Sequence, residues 1–447
     1  MKLLAGASTS NITPPLGCSL AGGMTDRIAA DVHDELHVRS LALDNGETRL
    51  ALAVCDLCVL PKEPIVRAKH LIHGHTGIPL TNILVAATHT HSAPPAAHLF
   101  QSPPDPQYLE WLTVRIADAV RRAVNRLEPA RIGWRLGREE QLVFNRRYFM
   151  KPGTIPPNPF GAAGDEVLTN PGVGNPNVLK PAGPTDPEVG VVAVESLDGR
   201  PISVLANYAL HYVGGEGSGH MSADYFGFWA GSMVRLAGAP FVPILTNGCS
   251  GDINGIDVRG PAVKHPSYWK MQQTADILAA ECYRAWRAIS FQDSAELGAA
   301  EEELELETRL PSPAEAATAR KILAASPGSG PLRERSQIYA RETVILSENW
   351  PKKVKTPVQA LRIGSLGIAT FPGEAFVELG LQVKAQSPFR PTLLIELAND
   401  YQGYIPTVEA HRLGGYETWR AKSSYLEKNA APQMVAAALR QLARLKG

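Results

Sequence analysis

Two hydrophobic periods interleave along this chain. Short apolar, β-branched runs recur at 49–60 (RLALAVCDLCVL), 82–88 (NILVAAT), 189–196 (VGVVAVES), 201–210 (PISVLANYAL) and 241–247 (FVPILTN), each ended by turn residues, and they read as strands. Between them the period lengthens to that of a helix. Over 108–127, Leu109, Leu112, Ile116, Val120, Val124 and Leu127 form one stripe, while Glu110, Arg115, Arg121 and Arg122 take the other face. Further helices are expected from Glu63, over 268–288 and after Pro432, where Val435, Leu439, Leu442 and Leu445 share a face. Residues 303–307 (ELELE) alternate strictly and read as a half-exposed strand, 360–371 as a hairpin around Gly364-Ser365-Leu366-Gly367, and 392–397 (TLLIEL) as a buried strand. Strands alternating with helices predict an α/β fold, a mixed β-sheet flanked by helices. No linker divides residues 1–447, so a single domain is expected.

Residues 151–190 hold nine Pro and seven Gly, which argues against regular structure there. A long irregular stretch inside a compact chain is usually functional, and an ordered loop over a site is expected at about 148–190. Composition narrows the partners. The 44 Lys and Arg balance 44 Asp and Glu over 447 residues, which removes the electrostatic reason to bind nucleic acid or an anionic membrane. No run of about 18 apolar residues predicts membrane insertion. Five cysteines, Cys18, Cys55, Cys58, Cys249 and Cys282, are too few for a disulfide framework and odd in number. With the short apolar stretch after Met1, too brief for a signal peptide, they point to a reducing, cytoplasmic setting. The amphipathic helices fit a core or a homo-oligomer interface equally well.

Chemistry-bearing residues cluster where strand runs stop. Thr88-His89-Thr90-His91-Ser92 follows NILVAAT, and two His two apart on a strand face the same way. His211 follows PISVLANYAL and precedes a glycine stretch that fits neither GxxxxGK[ST] nor GxGxxG. Asn247-Gly248-Cys249-Ser250-Gly251-Asp252 follows FVPILT, a small-residue turn of the kind that brings backbone donors and a hydroxyl or thiol close to a substrate. Phe371-Pro372-Gly373-Glu374 and Asn399-Asp400-Tyr401-Gln402-Gly403-Tyr404 end two more strands. Ligands bind at strand ends in open α/β sheets, so residues distant in sequence can converge there. Two or three His with a carboxylate match a catalytic zinc site. Cys55 and Cys58, spaced C-x-x-C in an apolar run, read as core thiols.

The order and spacing of THTHS, His211, the Gly-Asp turn, PGE and NxYxxYxxT resemble the neutral/alkaline, non-lysosomal ceramidase family over nearly the whole chain, from GASTSNITPP to GGY. The resemblance implies one Zn²⁺ per chain held by His89, His211, Glu374 and Tyr404, with His91 beside it and Tyr416 as a second active-site tyrosine. It matches Arg146, in Phe144-Asn145-Arg146-Arg147, with a substrate-contacting segment, and Asp224 with a further family position. Two departures stand out. The family's catalytic serine precedes Asn-x-Gly-Asp, where this chain has Gly248, with Ser250 out of that register. The longer members carry a signal sequence and a C-terminal immunoglobulin-like domain, and neither is expected from this sequence.

The expected activity is zinc-dependent hydrolysis of an N-acyl amide, on a small-molecule or lipid-like substrate, by a metal-activated water. His91 is the candidate base, and Tyr416 and Ser250 are candidates to assist. Arg146 and the turn residues Asn247, Gly248, Cys249 and Asp252 are candidates for binding substrate. The polar tone of the Pro/Gly segment suits a polar substrate, so an ester, a lactone or a small-metabolite amide is the alternative. Rivals of another kind are a Cys249 nucleophile with His211 as base and a non-catalytic metal-binding protein.

Overall fold

The computed structural model describes residues 2–326 and 330–447. Eight strands, β1 (Leu4–Asn11), β2 (His37–Asp44), β3 (Arg49–Cys55), β4 (Ile83–Ala87), β5 (Glu128–Arg138), β6 (Glu188–Ser196), β7 (Pro201–Tyr208) and β8 (Val242–Asn247), follow one hydrogen-bonded order, β8-β7-β6-β5-β1-β2-β3-β4. Only β3–β4 and β7–β8 are parallel. The order hinges in its middle, because β1 and β5 share just two residue pairs, Leu4↔Pro129 and Ala5↔Glu128. Two four-stranded halves result. A third four-stranded sheet orders β9 (Leu297–Glu307), β10 (Lys353–Ile363), β11 (Leu366–Thr370) and β12 (Thr392–Ile395), with β11–β12 parallel.

The period-two pattern explains how these sheets stack. In β3, Leu50, Leu52 and Val54 enter a central core shared with Val192, Val194, Leu205 and Ile244 of the second half and Leu361, Ile368, Leu393 and Ile395 of the third sheet. Ala51, Ala53 and Cys55, on the other face, pack under helices α1 (Lys62–Thr76) and α2 (Pro106–Val124). The second half is covered by α3 (Asp224–Ala237) and α4 (Trp269–Arg287) through Trp229, Met233, Leu278 and Cys282. The helix that closes the chain, Ala430–Lys446, covers the third sheet through Met434, Val435, Ala438 and Leu442. Buried on both faces, the strands read as near-continuous apolar runs. The α/β expectation holds, and the single sheet it pictured is joined by a second that stacks on it.

Local signals place the boundaries. The Asp105 side chain accepts the Gln107 N–H and Pro106 opens α2, while Gly77, at φ 74°, closes α1. The proline-rich segment is less irregular than its composition predicts. Arg147–Met150 pairs with both Val167–Thr169 and Val178–Pro181, a three-stranded ribbon between the prolines. Short strands tolerate proline at their ends, where no ladder hydrogen bond is lost.

Candidate metal centre

Each half of the eight-stranded sheet, and the four-stranded sheet stacked on it, delivers one donor to a single point. His89 lies two residues past β4, His211 three residues past β7, and Glu374 four residues past β11. His89 Nε2 stands 3.0 Å from His211 Nε2 and 3.3 Å from Glu374 Oε2, and His211 Nε2 stands 3.6 Å from the same oxygen. All three side chains are at most 3% exposed. The chain pays local strain for this, since His89 sits at φ 74°.

These donors fit a small divalent cation. Four ligands about 2.0–2.1 Å from a tetrahedral ion stand about 3.3 Å from one another, the value the three separations bracket. Glu374 Oε2 is buried with no hydrogen-bond partner, an expensive arrangement unless a cation shares the space. The backs of both imidazoles are held by carbonyls, His89 Nδ1 donating to Cys58 O at 2.7 Å and His211 Nδ1 to Ser250 O at 3.1 Å. That leaves each Nε2 lone pair aimed at the centre, the arrangement metal-binding histidines adopt. Burial pushes the His211 imidazole well below its ordinary range, so it is neutral and ready to ligate. Burial acts on His89 the same way, but Cys58 and Glu374 beside it outweigh it and hold that ring well above the usual value. Glu374 is likewise opposed by burial, yet His89 and Arg146 keep it below the usual carboxylate range and ionised.

The surroundings follow from backbone pairing. Glu374 and Tyr404 face each other in a short parallel bridge, which brings the Tyr404 phenol to the carboxylate. Tyr404 Oη accepts from Arg146 Nη2 at 3.0 Å, and Arg146 Nε donates to Glu417 at 2.8 Å. His91 Nε2 lies 3.2 Å from His89 Nε2, its ring stacked on Tyr212 at 3.5 Å between centroids. Gly22 backs it, where a Cβ would come within 2.3 Å of the His91 Cβ. Tyr416 completes the wall, its phenol raised well above the ordinary value by burial and Glu374. A small cavity of about 70 Å³ over the donors lies beside one of about 340 Å³, and His91, Tyr404 and Tyr416 line both.

The turn at 247–252 does not face this cavity, contrary to the sequence reading. Ser250 Oγ donates to Glu396 at 2.5 Å, in the interior. Cys249 lies in the core against Gly380, its thiol pushed well up by burial, so neither a thiolate nor an approach to His211 is provided. Gly248 abuts Ala209, Asn247 donates to the Thr88 carbonyl behind His89, and Asp252 accepts from Val377 N–H and Asn145. The turn is a brace. Its Ser250 carbonyl orients His211, Gly251 N–H donates to Ala375 O next to Glu374, and the Asp252 carbonyl takes the Arg146 N–H. Asp224 is also away from the cavity, capping Val213, Gly214 and Tyr225 N–H groups.

Three contributors escaped the sequence reading. Tyr401 donates to Glu374 Oε1 at 2.9 Å, Glu417 is the buried counter-charge of Arg146, and Cys58 supplies the carbonyl behind His89. Tyr401 lies in the same Asn-x-Tyr-x-x-Tyr motif as Tyr404, so the signal was present. Cys58 Sγ, 3.8 Å from His89 Nδ1, touches the ring edge turned away from the donors.

No protein-family profile matches the sequence, and no curated protein matches it. Solved structures do. The neutral ceramidase from Pseudomonas aeruginosa superposes with a TM-score of 0.76 at 17% identity, covering 100% of this chain and 75% of that one. A ceramidase complexed with C2 gives 0.75 at 15% identity with the same coverage. This chain has the fold of those enzymes.

Proposed function

We propose that this protein is a zinc-dependent hydrolase of N-acyl amides, with His89, His211, Glu374 and Tyr404 as the ligands. The observation that carries it is the carbonyl-backed pair of imidazoles facing the orphaned Glu374 oxygen. Zinc bound there would act as a Lewis acid on an acyl carbonyl and acidify a water. The chain's own groups do the rest. His91, outside the donor set but 3.2 Å from His89, is the base that takes the water's proton. Tyr416, a protonated phenol on the wall shared by both cavities, donates to the developing oxyanion or to the leaving nitrogen. Arg146 holds Tyr404 in place and is itself fixed by Glu417.

The likeness to two ceramidases supports an amide as the scissile bond. The cavity supports a smaller substrate than a two-chained lipid, because about 340 Å³ lies at the low end of small-molecule pockets, about 300–1,000 Å³. The test is elemental analysis of the purified wild type and of Glu374→Ala, followed by hydrolysis assays on N-acyl amides, esters and lactones. The expected result is about one zinc per chain, lost in the variant together with amide hydrolysis. A wild type that takes up no zinc on reconstitution, or a Glu374→Ala protein with full zinc and full activity, defeats the reading.

A further inference from the structure

We infer that the substrate carries a carboxylate remote from the scissile bond and that Arg335 binds it; this rests on the amidase reading above. The larger cavity runs outward from His91 and His211 to a rim formed by Asp165, Arg335 and Trp419. Its inner cation, Arg146, is already balanced by the Glu417 carboxylate at 2.8 Å. Its rim acid, Asp165, keeps its charge and turns Oδ2 to the Trp419 indole N–H at 2.8 Å. Among the described residues, Arg335 is the lining cation that has no carboxylate within ion-pair distance. Its guanidinium lies over the Trp419 ring, 5.5 Å from the centroid, and pairs with no acid among the described residues.

The geometry makes this more than a stray surface arginine. Asp165 grips the edge of the indole, so the plane on which Arg335 rests is fixed. Held over a ring and paired with no acid, the guanidinium keeps N–H donors free, and those donors match the two oxygens of a carboxylate. Between rim and metal centre the wall is apolar at Ile155, Val167 and Leu168. That suits a short hydrocarbon spacer. The class indicated is an N-acyl amide with a few carbons between the amide and a terminal carboxylate, borne either by the leaving amine or by the acyl half.

The test uses the zinc-loaded protein and two series of small amides. One is N-acetyl ω-amino acids with two to six carbons before the carboxylate, and the other is N-methyl monoamides of dicarboxylic acids. Each compound is paired with its neutral carboxamide, so the series reveal which half bears the anion. In one series the carboxylate should be preferred in kcat/KM by about two- to fivefold, as an exposed ion pair gives. Arg335→Ala should erase the preference through KM and leave the carboxamides unchanged. Arg335 is exposed at the start of the helix Arg335–Asn349, so the variant keeps its fold. Equal turnover of both members of every pair, or equal loss on both in Arg335→Ala, overturns the inference. If neither series is hydrolysed, the amidase reading fails by itself. Calorimetric titration of the same N-acetyl amino acids then decides the anion site: binding at least about twofold weaker in Arg335→Ala upholds it, and unchanged binding overturns it.

Discussion

Replacing Tyr401 by Phe should weaken zinc binding without unfolding the protein. The phenol donates to Glu374 Oε1 at 2.9 Å, while Oε2 is the oxygen turned toward the two imidazoles. Tyr401 thus fixes the carboxylate's rotation and offsets charge on its outer oxygen. A hydrogen bond to a charged group contributes about 1.5–3 kcal/mol, and each 1.4 kcal/mol is tenfold in affinity, so the loss should be about ten- to a hundredfold. Removing a partner of a metal ligand costs a similar factor elsewhere. The lower end is favoured here, because the cavity of about 70 Å³ beside Tyr401 admits a water that can replace the phenol oxygen. Zinc affinity would be read by competition with a chromophoric chelator at neutral pH, with the urea midpoint as the folding control. Unchanged zinc affinity in the variant would refute the assignment.

Glu417→Ala leaves the Arg146 guanidinium, 5% exposed, without its counter-charge and the Thr169 hydroxyl without its acceptor. A loss of about 3–5 kcal/mol is expected from urea melts, with Glu417→Gln losing less; an unchanged midpoint would show that the pair is not held as described. Gly22→Ala puts a Cβ within 2.3 Å of His91 Cβ at φ +99°, so His91 must move, and activity should fall at least about tenfold with zinc retained. Loss of zinc in that variant would make His91 a ligand instead of a base. Lys69, almost fully buried 3.8 Å from Glu301, has its ammonium pushed down from 10.5 to about 8 by burial. Between those two values the unfolded chain binds the extra proton, so stability rises with pH there, and below about pH 8 the full penalty is present. Lys69→Met should therefore stabilise the protein at pH 7 by about 3 kcal/mol at most, a gain that fades toward pH 10.5. A gain independent of pH would contradict this.

Periodicity marked the strand stops that His89, His211 and Glu374 follow, and the resemblance to the ceramidase family singled these residues out as candidate donors. The third dimension was not legible. Runs such as Leu50–Cys55 are buried on both faces, and a continuous apolar strand reads alike whether helices or a second sheet cover it. The turn at 247–252 was misread for a related reason. Turn residues carry no period, so nothing in the sequence says that Ser250 aims inward, and its partner Glu396 lies 146 residues away. Its packing also bears on the chemistry. Gly248 occupies the place where the resemblance puts a serine, and a Cβ there meets the Ala209 backbone and side chain at 3.1 Å. A side chain at 248 requires the strand-end segment that carries His211 to give way. The small turn and the position of His211 are thus one packing solution, and it leaves no hydroxyl at position 248. In the mechanism proposed above, His91 and Tyr416 supply the proton transfers, so Tyr416→Phe should lower kcat by at least about tenfold with KM and zinc content little changed. Full kcat in that variant would remove the Tyr416 hydroxyl from the mechanism and leave the oxyanion to another donor of the same wall or to the metal.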